Sequence, residues 1–167
     1  MKTGDTITLN EPEQKLARYL ANARHTSNRS ADVKNNRIGP QDDAQTDLEG
    51  IGAEMAFCRM ANVYPDTSIS PRRGGADCAL HDDRRVDVKA TRYATGQLLA
   101  VTGKAHDAVD LYALMVGTFP TYRFAGWMPS ADVVTPERLT DLGHGPTYAV
   151  PQRELVRELV DSDIRWG

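Results

Sequence analysis

The chain has 167 residues, with 20 Lys and Arg against 23 Asp and Glu, a formal net charge of −3, and 40% hydrophobic residues. That balance suits a globular chain able to bury a core as a single domain, and it excludes a purely electrostatic nucleic-acid binder. The longest apolar run, 111–116, is far too short to span a membrane, the first residues have no apolar leader, and Cys58 and Cys78 lack the spacing of a zinc site or a disulfide framework.

The two cysteines are therefore expected as small core residues in a reducing, cytoplasmic setting. In chain order, 13–25 has helical spacing through Leu16, Tyr19, Leu20 and Ala23, and 26–46 is polar and reads as a loop. A helix follows from about Asp47 to Val63 and ends at Tyr64-Pro65. Strands are expected near 67–70 and over 76–80, 85–91, 97–101, 109–117, 121–128 and 147–150. Thr135-Pro136-Glu137 predicts a short helix to Leu142, and 151–160 a closing helix with Pro151 in its first turn. The expected class is α/β (α+β), a mixed sheet flanked by helices.

Charge is unevenly placed. From Lys15 to Arg37 six basic residues face Asp32 alone, a local +5 that leaves −8 for the remainder. Region 1–46 is thus a basic N-terminal segment. Arg72 and Arg73 form a second basic group. Such groups can meet phosphates or be ordinary solvated surface.

Parity makes the hairpin 76–91 informative. Ala76, Cys78 and Leu80 share one face of the first strand, and Val86, Val88 and Ala90 one face of the second. If both apolar faces meet one core, Cys78 lies beside an even-numbered residue such as Val86. The loop is then odd, such as His81-Asp82-Asp83, and pairing with Val86 places Asp77 opposite Asp87 with Lys89 on the same side. Opposed acids invite a compensating cation, either Lys89 on a solvated face or a metal ion. Magnesium suits the second reading because it takes carboxylate oxygens and keeps waters.

Glu54 adds a third acid. Its helical neighbours at three and four positions are Gly50, Ile51, Phe57 and Cys58, so it falls on an apolar stripe, where a carboxylate needs a partner. A salt bridge to Arg59 or Arg92 would also satisfy it. Glu49 lies off that stripe and stands out for nothing.

Helical Glu54, then Asp77 on a strand, then Asp87-Val88-Lys89 on the next resembles the PD-(D/E)XK nuclease superfamily. The tripeptide also occurs at Glu13-Gln14-Lys15 and Asp32-Val33-Lys34, but only the third lies on an alternating strand. Ala76 stands where a proline would complete the motif. The resemblance spans about residues 47–101 and implies a restriction-endonuclease-like fold and Mg²⁺-dependent phosphodiester hydrolysis, with Mn²⁺ able to substitute. It implies that Asp77, Asp87 and the Val88 carbonyl bind the ion, that Glu54 completes the site, and that Lys89 orients water or stabilises the transition state. It further implies a DNA endonuclease of phage or mobile-element type, able to form a homodimer, and the short apolar runs give no reason to expect a membrane partner. Arg29, Lys34, Arg37, Arg72, Arg73, Thr91 and Arg92 are its candidate nucleic-acid contacts. A silent nucleic-acid-binding or assembly protein on the same fold is the alternative.

Overall fold

The structure is a computed structural model that describes residues 1–30, 43–69, 75–103, 106–143 and 145–160, with the side chains of 28–30 and 43 outside the description. The elements are β1 (Thr6–Thr8), α1 (Glu11–Ser30), α2 (Asp43–Ala61), β2 (Cys78–Ala79), β3 (Arg85–Thr91), β4 (Leu98–Val101), β5 (Leu111–Thr118), β6 (Thr121–Pro129), α3 (Ser130–Val133), β7 (Leu139–Asp141) and β8 (Pro146–Val150). One sheet runs β1-β6-β5-β3-β2 and a second runs β4-β8-β7. In the first, only β3 and β5 pair in parallel. The fold is mixed α/β. No described helix is long and apolar enough to cross a membrane.

Local chemistry accounts for the helix ends. Asn10 Oδ1 accepts from the Glu13 amide at 3.0 Å while Glu13 Oε2 accepts from the Asn10 amide at 2.6 Å, a reciprocal cap that starts α1. At the far end of α2, Asn62 takes φ +55° and the Val63 amide donates to the Cys58 carbonyl, so the helix closes two residues before the expected Val63.

The two faces of the larger sheet are covered differently. Val86, Val88, Leu111, Ala113, Met115 and Phe124 pack against Ala17 and Leu20 of α1 and Ile51, Ala53 and Phe57 of α2. Tyr112, Leu114, Val116 and Ala125 pack instead against Leu98, Ala100 and Val150 of the smaller sheet. β5 is buried on both faces, which is why its sequence reads as one continuous apolar run.

Glu49 clamps α2 to the β5–β6 turn. Its Oε2 accepts from the Phe119 amide at 2.8 Å and from the Tyr122 hydroxyl at 2.9 Å. Gly52, one turn on, lies so close to that turn that a Cβ there would sit 2.5 Å from Tyr122 Oη and 2.8 Å from Phe119 Cδ2. Only glycine permits this approach.

Several expectations are corrected. Residues 67–69 form no strand, and 70 lies outside the described residues. Pro136–Arg138 is a single 3-10 turn that leads into β7 rather than a helix to Leu142. The closing helix is absent: 152–154 is a 3-10 turn, after which Val156 bridges Trp127 and Glu158 bridges Lys2. Sheet pairing with distant segments overrides the helical spacing there. β1 was not anticipated; it pairs with β6 and brings the N-terminal residues into the sheet. Of the expected loop 26–46, residues 31–42 lie outside the described residues, and α1 runs on to Ser30.

Candidate active site

Cys78 pairs with Val86 and Ala79 with Arg85, so the loop is His81-Asp82-Asp83, the odd loop that parity requires. The Leu80 amide donates to the Arg84 carbonyl at 2.9 Å, and Asp83 takes φ +66° to close the turn. β2 is shorter than 76–80 because the ladder stops at Cys78. Continued one step, it would give the Val88 amide the Ala76 carbonyl. Instead that amide donates to Asp77 Oδ2 at 2.7 Å, while the Asp77 amide donates to the Val86 carbonyl at 2.7 Å. A carboxylate thus takes the place of a main-chain acceptor. The Val88 amide and carbonyl point to the same side of β3, so that carbonyl also faces the edge beyond the end of β2.

Asp87 and Lys89 lie on the other face of β3 from Val86 and Val88. In the parallel ladder Asp87 stands beside Tyr112 and Lys89 beside Leu114, both in the core shared with the smaller sheet. Asp87 is therefore 1% exposed, and the solvated-face reading of the hairpin fails for it. Its partner is Lys89, with Nζ 2.6 Å from Oδ1, and the same ammonium lies 5.7 Å from the centre of the Tyr112 ring. Tyr112 in turn places its hydroxyl 2.6 Å from His106 Nδ1.

Glu54 approaches from α2. It pairs with Arg24, not with Arg59 or Arg92, at 3.1 Å between Nη1 and Oε2. The expected arginines are occupied otherwise: Arg59 pairs with Glu13, and Arg92 lies over Tyr93. Arg24 also donates to the carbonyls of Ser68 at 3.0 Å and Asp66 at 2.6 Å, and the Asp66 amide meets the Asp77 carbonyl at 3.4 Å. One guanidinium therefore ties α1, α2 and the segment leading to Asp77. Sequence spacing gave no signal for it, because Arg24 and Glu54 are 30 residues apart.

Electrostatics join these groups. Burial holds the Asp77 carboxyl well above the ordinary range, and the charges of Glu54 and Asp87 add to the effect against the Val88 hydrogen bond and Lys89. Burial opposes charge on Lys89, but Asp87, Asp77 and Glu54 more than offset it and raise the ammonium above its usual value. The Cys58 thiol, raised by its hydrogen bond with Cys78, by burial and by nearby acids, stays protonated; both cysteines are buried and free. Asp110 binds the Arg85 amide and guanidinium and is held at about 2 by these bonds.

Among the described residues no group of three or more His, Cys, Asp or Glu side chains is placed to hold a metal ion. Magnesium, however, is commonly held through one or two carboxylates with waters and substrate phosphate completing its shell. Asp77 and Asp87 are two carboxylates of that kind, one bound to the Val88 amide and the other to Lys89, while Glu54 pairs with Arg24. Thr91 is half-buried, with Oγ1 accepting from the Tyr93 amide, and Arg92 is exposed. Lys34, Arg37, Arg72 and Arg73 lie outside the described residues, as does the side chain of Arg29. Comparison of the chain with family models, curated proteins and solved structures finds no match among any of the three.

Proposed function

We propose that this chain is a metal-dependent nuclease of the PD-(D/E)XK type that cleaves DNA phosphodiester bonds. The observation that carries the reading is the buried Asp87 holding the Lys89 ammonium at 2.6 Å, with Asp77 fixed beside them through the Val88 amide. A bound Mg²⁺ would supply a Lewis acid for the scissile phosphate and a water of lowered pKa. Asp77 and Asp87 would hold that ion with the Val88 carbonyl. The raised Asp77 carboxyl would give up its proton as the ion arrives. Lys89, kept charged by three acids, would place a fixed positive charge beside the phosphate as negative charge builds there. Glu54 would contribute through the field it exerts on Asp77 and Lys89, in the position Arg24 gives it.

The commitment of Glu54 to Arg24 favours one second reading, a nucleic-acid-binding protein that keeps the arrangement without turnover. Incubation with plasmid, linear duplex and single-stranded DNA in Mg²⁺ separates the two. Cutting that stops with EDTA and with Asp87→Asn supports the nuclease. Wild-type cutting by Asp87→Asn and Lys89→Ala would refute the assignment. A gel shift without cutting under any divalent ion would establish the silent reading.

A further inference from the structure

We propose that the loop 92–97 is a stacking platform for an unpaired nucleobase, with Tyr93 as its surface and Arg92 as its phosphate partner. This rests on the nuclease reading and names its substrate class: single-stranded DNA, or duplex with a single-stranded end or flap. Tyr93 is 62% exposed, and the Arg92 guanidinium lies 6.0 Å from its ring centre. A large aromatic held in water with a cation beside it is the combination that binds single strands, because every base has a face to stack and every nucleotide a phosphate.

Rigidity distinguishes this tyrosine from an ordinary surface residue. The Ala94 carbonyl accepts from Arg123 Nη2 at 2.8 Å and from Gln152 Nε2 at 3.0 Å, and the same amide group reaches the Gly96 carbonyl at 2.7 Å. Inside the loop, the Gly96 amide donates to the Tyr93 carbonyl at 2.9 Å and the Tyr93 amide to Thr91 Oγ1 at 3.3 Å. A Cβ at Gly96 would collide with the Thr91 side chain, so the loop folds this tightly only with glycine there. Main-chain groups are pinned from beneath and the ring is left outside. A loop whose main chain is already held loses little backbone entropy when a base stacks on its tyrosine.

Position and charge agree. Tyr93 follows Lys89 by four residues, so its Cα lies within roughly 14 Å of that lysine's. A strand whose phosphate sits at Lys89 can therefore place a neighbouring base at Tyr93. Between Val88 and His106 the chain has no acidic residue, although it carries 23 overall. Tyr19 and Tyr64 are as exposed, but neither follows the strand that carries Asp87 and Lys89.

The test uses the whole chain in EDTA, so that binding is read without cleavage. The probes are a single-stranded oligonucleotide carrying 2-aminopurine and a blunt duplex of the same sequence. The expected result is tighter binding of the single strand with a change in 2-aminopurine emission. Tyr93→Ala should weaken single-strand binding by roughly 10-fold and abolish that change, leaving duplex binding as it was, while Tyr93→Trp retains both. Single-strand binding by Tyr93→Ala equal to wild type overturns the platform. So does an equal loss on both probes, which would show no preference for unpaired bases. Platform failure alone leaves Mg²⁺-dependent plasmid cutting intact. If the wild-type chain binds neither probe, the platform falls, and Mg²⁺-dependent cutting decides the nuclease reading on its own.

Discussion

Lys89 Nζ lies 2.6 Å from Asp87 Oδ1, two residues back on its own strand, with Asp87 1% exposed and Lys89 25% exposed. The acid is sealed in and the cation reaches outward. Removing the cation takes the opposite charge away from a buried carboxylate. Lys89→Met should therefore cost roughly 3 kcal/mol of folding stability, whereas Asp87→Asn/Lys89→Met together should cost clearly less. Urea unfolding of the two variants checks this. A double variant as unstable as the single one would mean that Lys89 contributes packing and not charge compensation.

Asp77 has a consequence for pH. Its folded value is raised above that of the unfolded chain, so in the unfolded state it loses its proton first. Its contribution to stability is undisturbed at acid pH, below the unfolded value, and declines as pH climbs through the raised folded value. Asp77→Asn removes that decline while keeping an oxygen for the Val88 amide. The variant should equal wild type near pH 4, exceed it at pH 7.5, and be inactive throughout. Thermal melts across this range decide the point. A variant less stable at pH 7.5 would show that the carboxylate is compensated in the folded chain.

Arg24 is the hub that prepares Asp77, through Glu54 and the carbonyls of Asp66 and Ser68. Lysine can keep the charge opposite Glu54 but cannot reach three acceptors at once with a planar fork. Arg24→Lys should recover most of the stability that Arg24→Ala loses, about 2 kcal/mol. It should not restore amide protection over 63–69. Hydrogen exchange reads the segment directly, with the Asp66 amide, bound to the Asp77 carbonyl, as reporter. Full protection in Arg24→Lys would mean that the segment is held by something else.

Much of the candidate site was legible because period-2 parity is rigid. Cys78, Leu80, Val86 and Val88 had to share a core, which required an odd loop, and the pairing of Cys78 with Val86 meets that requirement. What parity cannot report is what covers the opposite face. The burial of Asp87 comes from the smaller sheet, whose strands lie at 98–101, 139–141 and 146–150. The C-terminal segment misled for a related reason. Leu155 and Leu159 have helical spacing, yet Leu155 enters the core under the smaller sheet and Leu159 the core under the helices. Glu49 stands out for nothing in the sequence because its partners, the Phe119 amide and the Tyr122 hydroxyl, are about 70 residues away.

Gly52 offers the last test, because two opposing effects can be weighed. Alanine is favoured over glycine in a helix interior by about 1 kcal/mol. At this position, however, the new methyl would meet Tyr122 Oη at 2.5 Å and Phe119 Cδ2 at 2.8 Å. Tyr122 is 1% exposed and its hydroxyl is held by Glu49, so the ring cannot retreat without losing that bond. Overpacking of this kind costs about 1–3 kcal/mol, and here the lost bond adds to it, so Gly52→Ala should be destabilising on balance. Tyr122→Phe removes the closer contact, and in that background Gly52→Ala should cost less. Chemical denaturation of the four species gives the coupling directly. A Gly52→Ala chain more stable than wild type would mean that α2 can move away from the turn, and that Glu49 is not the clamp that fixes it there.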